Sequence, residues 1–225
     1  MEARKKQIED VNTHQLIATK QKVIRVLFIF IFGVTMGFIS KYADTVGISV
    51  DGHIVLMIYQ YSVDFIKDIT SKIGLWIFIA TIIAVWSRSP RSAAIHVFVF
   101  FVGMLLAYYS YSTYLFGFVP KYYVYRWGLI SFLSLIGAYI VWHADGKGWL
   151  SACCAAPPIA LLLTIGYSFF YTQLLLQGID LIFSLILFVL LAVNNLQRLR
   201  ILFVVVVLFL LIEKLNLISL FFGGL

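Results

Sequence analysis

Residues 108–114 read Tyr-Tyr-Ser-Tyr-Ser-Thr-Tyr, seven consecutive hydroxyl-bearing side chains at the end of a long apolar run. Phenols and hydroxyls at this density can hydrogen-bond a polar ligand and offer ring faces to a cation. A helix turns every 3.6 residues, so seven in a row cover all of its faces. Some can anchor at lipid headgroups as an ordinary interfacial belt. The rest must point inward, where a buried hydroxyl needs a partner. Tyr108, Tyr111 and Tyr114 are candidates for the wall of a small-molecule pocket, with His96 earlier on the same helix. His96, Gly103, Ala107, Tyr111 and Tyr114 share one approximate face, which leaves space beside the glycine. Such a wall suits an aromatic, cationic or sugar-like ligand. The following stretch, PKYYVYRW, reads as a loop that adds Arg126, placed to meet Asp180 across the same mouth or to hold an anionic headgroup.

A second chemistry-bearing group is SRSPRS at 87–92, where Arg88 and Arg91 flank Pro90. Two readings compete: topological anchors at the headgroups, or contacts to a phosphate or to a cytosolic partner such as an ATPase. Marks of an enzyme are missing. There is no GxSxG, no HExxH, no paired intramembrane carboxylate and no zinc-like Cys/His spacing. No catalytic residue, metal or cofactor is assigned. His14, His53, His96 and His143 fall on different elements, and the adjacent Cys153 and Cys154 are a poor pair for a disulfide. Ionisable residues at mid-membrane depth are functional candidates. Here they reduce to His96 and the Glu213–Lys214 pair, which argues against an ion pump with a carboxylate relay.

The elements that must position these groups follow from composition. Of 225 residues, 62% are apolar and 12% charged, against roughly a quarter charged in soluble domains. A soluble core cannot hide that much apolar surface, and the apolar runs are continuous rather than alternating, which disfavours a β-barrel. The expected fold is all-α, a polytopic transmembrane bundle of six or seven spans with its N-terminus cytosolic. The formal charge of +7 comes from residues scattered at segment ends, which favours the lipid bilayer as partner over nucleic acid.

Two regions are expected: a polar cytosolic tail at 1–22, ahead of the first apolar run, and a helical membrane domain at 23–225. Spans are placed near 23–40, 73–86, 93–118, 127–142, 151–171, 178–193 and from 201 onward; the last either ends near Glu213 or continues to Phe222. Gly33 and Gly37 form a small-xxx-small pair that lets another helix approach closely. The connection from Lys41 to Lys72 is too long to be structureless. It is read as an outer loop whose 53–69 segment forms an interfacial or re-entrant helix, or as an amphipathic connector. Pro90 places a helix boundary after Ser89. Measured from Ala93, the tyrosine run lies roughly 22–31 Å up its span, in the outer leaflet.

The run Gly74–Leu75–Trp76, the Ser87–Arg88–Ser89–Pro90 hinge, the Phe100–Phe101 and Gly103–Met104 pairs and the tyrosines after Ala107 stand together. In these features the chain resembles an uncharacterised family of small multi-spanning proteins from Gram-positive bacteria, over residues 74–150 at most. The resemblance implies a bacterial plasma membrane location and no activity. The leading expectation is a membrane subunit that binds or helps transport a small molecule, alone or within a larger complex. The rival is a non-transporting regulator or immunity protein that docks a cytosolic or membrane partner; an intramembrane enzyme comes third.

Overall fold

The computed structural model describes residues 2–46 and 54–216, with side chains from Thr19 onward. The described chain is all-helical: α1 (Glu2–Thr45), α2 (Ile54–Ser71), α3 (Ile73–Val85), α4 (Pro90–Phe116), α5 (Lys121–Val141), α6 (Trp149–Tyr167), α7 (Phe169–Thr172), α8 (Leu175–Leu191) and α9 (Asn195–Lys214), with a 3-10 turn at Trp142–Ala144. Among the described residues, five helical stretches are long and apolar enough to cross a membrane. A sixth exists if α2 and α3, bent by 71° at Lys72, count as one broken span, and α8 is a shorter apolar helix. Large apolar side chains such as Phe28, Leu106, Phe132, Leu185 and Phe203 face outward all round the bundle. Water would penalise that surface heavily, whereas hydrocarbon accepts it. The protein is a multi-pass integral membrane protein.

Local sequence sets the helix ends. Ser89 caps α4, its Oγ accepting the Ser92 backbone N–H at 3.2 Å, and Pro90 occupies the first helical position, where its missing N–H costs nothing. Gly117, at φ 71°, closes the same helix in a left-handed turn. Asn194 caps α9 by accepting the Gln197 N–H at 2.8 Å.

Two apolar clusters divide the bundle. One gathers α1, α3, α4 and α5 around Trp76, Phe100, Phe101 and Met104. The other gathers α6, α8 and α9 around Ile159, Leu162, Leu187 and Ile201. Helix α3 is the seam: Trp76 and Ala84 belong to the first cluster, while Ile77, Phe78 and Ile82 pack on the second. At the far side of the seam, Gly74 touches the Asp180 carboxylate of α8 so closely that no Cβ fits there.

The closest helix pair is α1 with α4. A Cβ on Gly33 would overlap the Phe100 carbonyl oxygen, one on Gly37 the Met104 carbonyl, and one on Gly103 would come within 2.6 Å of the Phe30 carbonyl. The small-xxx-small pair thus works as the spacing suggested, with backbone against backbone. The expected space beside Gly103 is filled by α1.

Several boundaries move. Helix α1 runs without a break through residue 22 and carries Lys41 and Asp44, so these two residues belong to the first helix and not to the outer connection. Packing on α4 extends the helix beyond its apolar run. The PKYYVYRW stretch is not a loop, because α5 already begins at Lys121. The described residues of the 53–69 segment belong to α2, which runs Ile54–Ser71, with Ile54, Val55 and Ile58 exposed and only Val63 and Thr70 of the helix buried. The last span ends at Lys214; its extension to Phe222 lies outside the described residues.

Candidate functional site

Helices α1 and α4 run parallel in a fixed register: Gly33 sits on Phe100 and Gly37 on Met104, four residues later on each helix. Four residues on again, Lys41 meets Tyr108. Here side chains replace glycine and the helices enclose space. The Lys41 ammonium lies 5.0 Å from the Tyr108 ring centroid and 5.1 Å from that of Phe116. Its residue is 8% exposed. Tyr108 donates its hydroxyl to Asp44 Oδ2 at 2.5 Å, a charge-assisted bond of the short, strong kind.

These groups line a cavity of about 370 Å³, within the roughly 300–1,000 Å³ usual for ligand sites. Its wall combines the Lys41 and Asp44 charges, hydroxyls of Ser40, Tyr109 and Ser112, and the rings of Trp76 and Trp127. Ser40 and Ser112 are otherwise buried. The α2–α3 corner forms part of the wall through Thr70 and Ser71, and it is pinned by the Trp76 Nε1 donating to the Thr70 carbonyl at 3.0 Å. A cation held by ring faces and an acidic acceptor fixed by a phenol lie together. The arrangement can bind an anionic group at Lys41 and a hydroxyl or amine donor at Asp44.

Of the residues expected to form a pocket, Tyr108 lies in this wall. Tyr111 lies outside it, half-buried with its ring 4.8 Å from Phe38, and Tyr114 is 83% exposed. Arg126 stacks on Tyr122 one helical turn away and donates a hydrogen bond to the Tyr122 hydroxyl at 3.0 Å. Asp180 is 3% exposed against Gly74 at the start of α3, its Oδ2 without a hydrogen-bond partner, and the cation facing it is Lys72. His96 lies near the opposite end of α4. Ser87 Oγ commits its hydrogen to the Ile83 carbonyl (2.7 Å) and so receives the His96 Nδ1–H at 2.8 Å. With Trp142 Nε1 donating to the Ser87 carbonyl at 2.7 Å, His96 holds the hinge in place. Arg88 and Arg91 are exposed beside it.

Lys41 and Asp44 are the site residues that sequence reasoning missed. The signal was present: the Gly33–Gly37 period continues to Lys41, and Asp44 follows on the same face. Among the described residues no three His, Cys, Asp or Glu side chains come together as metal ligands.

A second, nearly apolar crevice of about 300 Å³ lies between α3, α4, α5 and α6, where α5 and α6 barely touch. Ala80, Ala84, Gly137, Pro157 and Leu161 line it, and Trp76 and Trp127 belong to both this crevice and the polar cavity. No family model, curated protein or solved structure matches the chain.

Proposed function

We propose that the protein is a small-molecule-binding membrane subunit, permease-like in its architecture, that takes a hydroxylated anion or headgroup into the Lys41–Asp44–Tyr108 cavity. The observation carrying this reading is the Lys41 ammonium, buried between two ring faces beside a cavity wall of hydroxyls and an acidic acceptor. Among the described residues no carboxylate forms a direct ion pair with this buried cation, which is therefore held at a cost, and an anionic ligand lowers that cost. The cavity lies at the end of the bundle where Asp44, Asp64, Asp68, Asp180 and Glu213 offset the basic residues. The other end carries Lys20, Lys22, Arg25, Arg88, Arg91, Lys147, Arg198 and Arg200 against Asp145. On this reading the positive-inside bias favours an orientation with the hinge in the cytosol and the cavity on the outer side of the membrane.

Glycerol phosphate is a suitable probe, since it joins a phosphate to hydroxyl donors. Titrated into the full chain in phosphatidylcholine nanodiscs, it should alter tryptophan emission saturably through Trp76 and Trp127. Lys41→Met should weaken that binding about tenfold to a hundredfold, the ~1.5–3 kcal/mol of a bond to a charged group. Identical titrations of the two proteins would sink the proposal.

A second reading rests on the exposure of Arg88 and Arg91 at the hinge: a regulator that docks an acidic partner there. Loss of a co-purifying protein from Arg88→Ala/Arg91→Ala, with glycerol phosphate binding intact, favours that reading.

A further inference from the structure

We infer that the ligand is a single membrane amphiphile whose phosphate-bearing head fills the Lys41 cavity while its hydrocarbon chain lies in the crevice between α5 and α6. The inference rests on the proposed function and names the class of ligand. Its first support is continuity: Trp76 and Trp127 form part of both walls, so head and chain sites share a boundary made of two indoles. Its second is the change in chemistry across that boundary. One side offers an ammonium, a carboxylate and hydroxyls; the other offers Ile, Leu, Val, Ala, Phe and Pro, with the Thr81 and Ser134 hydroxyls and the two indole N–H groups as the polar side-chain groups of its lining.

The third support is direction. The polar cavity sits where α1 and α4 end and α5 begins, at headgroup level. The crevice follows α5 from Trp127 to Val141, about 20 Å of helix rise. A molecule occupying both would lie as a bilayer lipid lies, head at the interface and chain toward the midplane. At about 300 Å³ the crevice is also about twice the ~150 Å³ apolar cavity that takes up benzene. The weak contact between α5 and α6 leaves it a lateral way in from the membrane.

Gly137 provides the test. It lines the crevice, and a Cβ there meets nothing within 4 Å, so Gly137→Phe adds a ring from an open point of the crevice wall and improves helix propensity. Gly128, on the same helix, also has open space and lines neither cavity, which makes Gly128→Phe the matched control. Three probes are titrated into the full chain in phosphatidylcholine nanodiscs, each corrected for partition into empty discs: glycerol phosphate, lauroyl glycerol phosphate and lauroyl glycerol.

The chain should raise affinity about tenfold or more over the head alone, since every buried methylene adds to binding. Gly137→Phe should abolish that gain while leaving glycerol phosphate binding within about twofold, and Gly128→Phe should change neither. A gain that survives Gly137→Phe, or falls equally in both variants, overturns the inference while the cavity reading stands. Equal binding of lauroyl glycerol and its phosphate also overturns it, because head and chain would then act separately. If glycerol phosphate fails to bind and Lys41→Met leaves the lauroyl phosphate unaffected, the cavity reading falls and this inference with it. Independently of any crevice variant, a dibromostearoyl chain on glycerol phosphate should quench wild-type emission more than that of Trp76→Phe/Trp127→Phe. Equal fractional quenching places the chain elsewhere.

Discussion

Lys41 and Asp44 show how far local pattern carries and where it stops. Read in sequence, they are two members of a mixed-charge connection. Placed on α1 they become a buried cation and an acceptor facing Tyr108, because the helix outlasts its apolar run. The tyrosine run was legible as a place where hydroxyls outnumber what lipid anchoring needs, but which of them turned inward was not. That depended on the α1–α4 register, a tertiary quantity, and it selected Tyr108 and Tyr109 for the cavity over Tyr111 and Tyr114. Gln197 is a comparable case without a functional role. Buried at 1% exposure, its side chain accepts the Gly148 N–H at 3.0 Å and donates to the Gly148 carbonyl at 3.1 Å, tying the start of α9 to the start of α6. Gln197→Leu leaves both backbone groups of Gly148 without those partners. It should destabilise the protein by about 1–3 kcal/mol, visible as a lower unfolding temperature in detergent, with little change in glycerol phosphate binding.

Among the helices, α1 and α4 carry the most specific constraint. Gly33, Gly37 and Gly103 bring two backbones into contact, and the Lys41–Tyr108 pairing follows from the same register. Gly37→Val should force the helices apart, costing about 1–3 kcal/mol as overpacking does, and should weaken glycerol phosphate binding along with stability. Gly128→Ala, where the added Cβ meets nothing, should leave both near wild type or slightly improved. Thermal unfolding and titration of the two variants check this together. The hinge was readable because Ser89 and Pro90 act locally. The 71° bend between α2 and α3 was not, since the Trp76–Thr70 bond that holds that corner joins residues on two helices. Trp76→Phe, which keeps the ring contact but removes the donor, should loosen the corner by about 0.5–1.5 kcal/mol and show as faster hydrogen exchange at residues 66–74.

For the molecule as a whole, composition alone identified a polytopic helical bundle, because 62% apolar residues in continuous runs leave few other solutions. The division into two packed groups joined at α3 lay beyond it, as did the crevice left where α5 and α6 fail to close. The proposed topology predicts that a cysteine placed at Arg88 is labelled from the cytosolic side by a membrane-impermeant maleimide, and one at Lys121 from the outside; the reverse pattern overturns the orientation. The most direct test of ligand binding is a density map of the protein with lauroyl glycerol phosphate bound. It should show one connected feature, its head against Lys41 and Tyr108 and its tail passing between Trp76 and Trp127 toward Gly137. A map of the same sample with the Lys41 cavity empty, or closed by its own side chains, would contradict it.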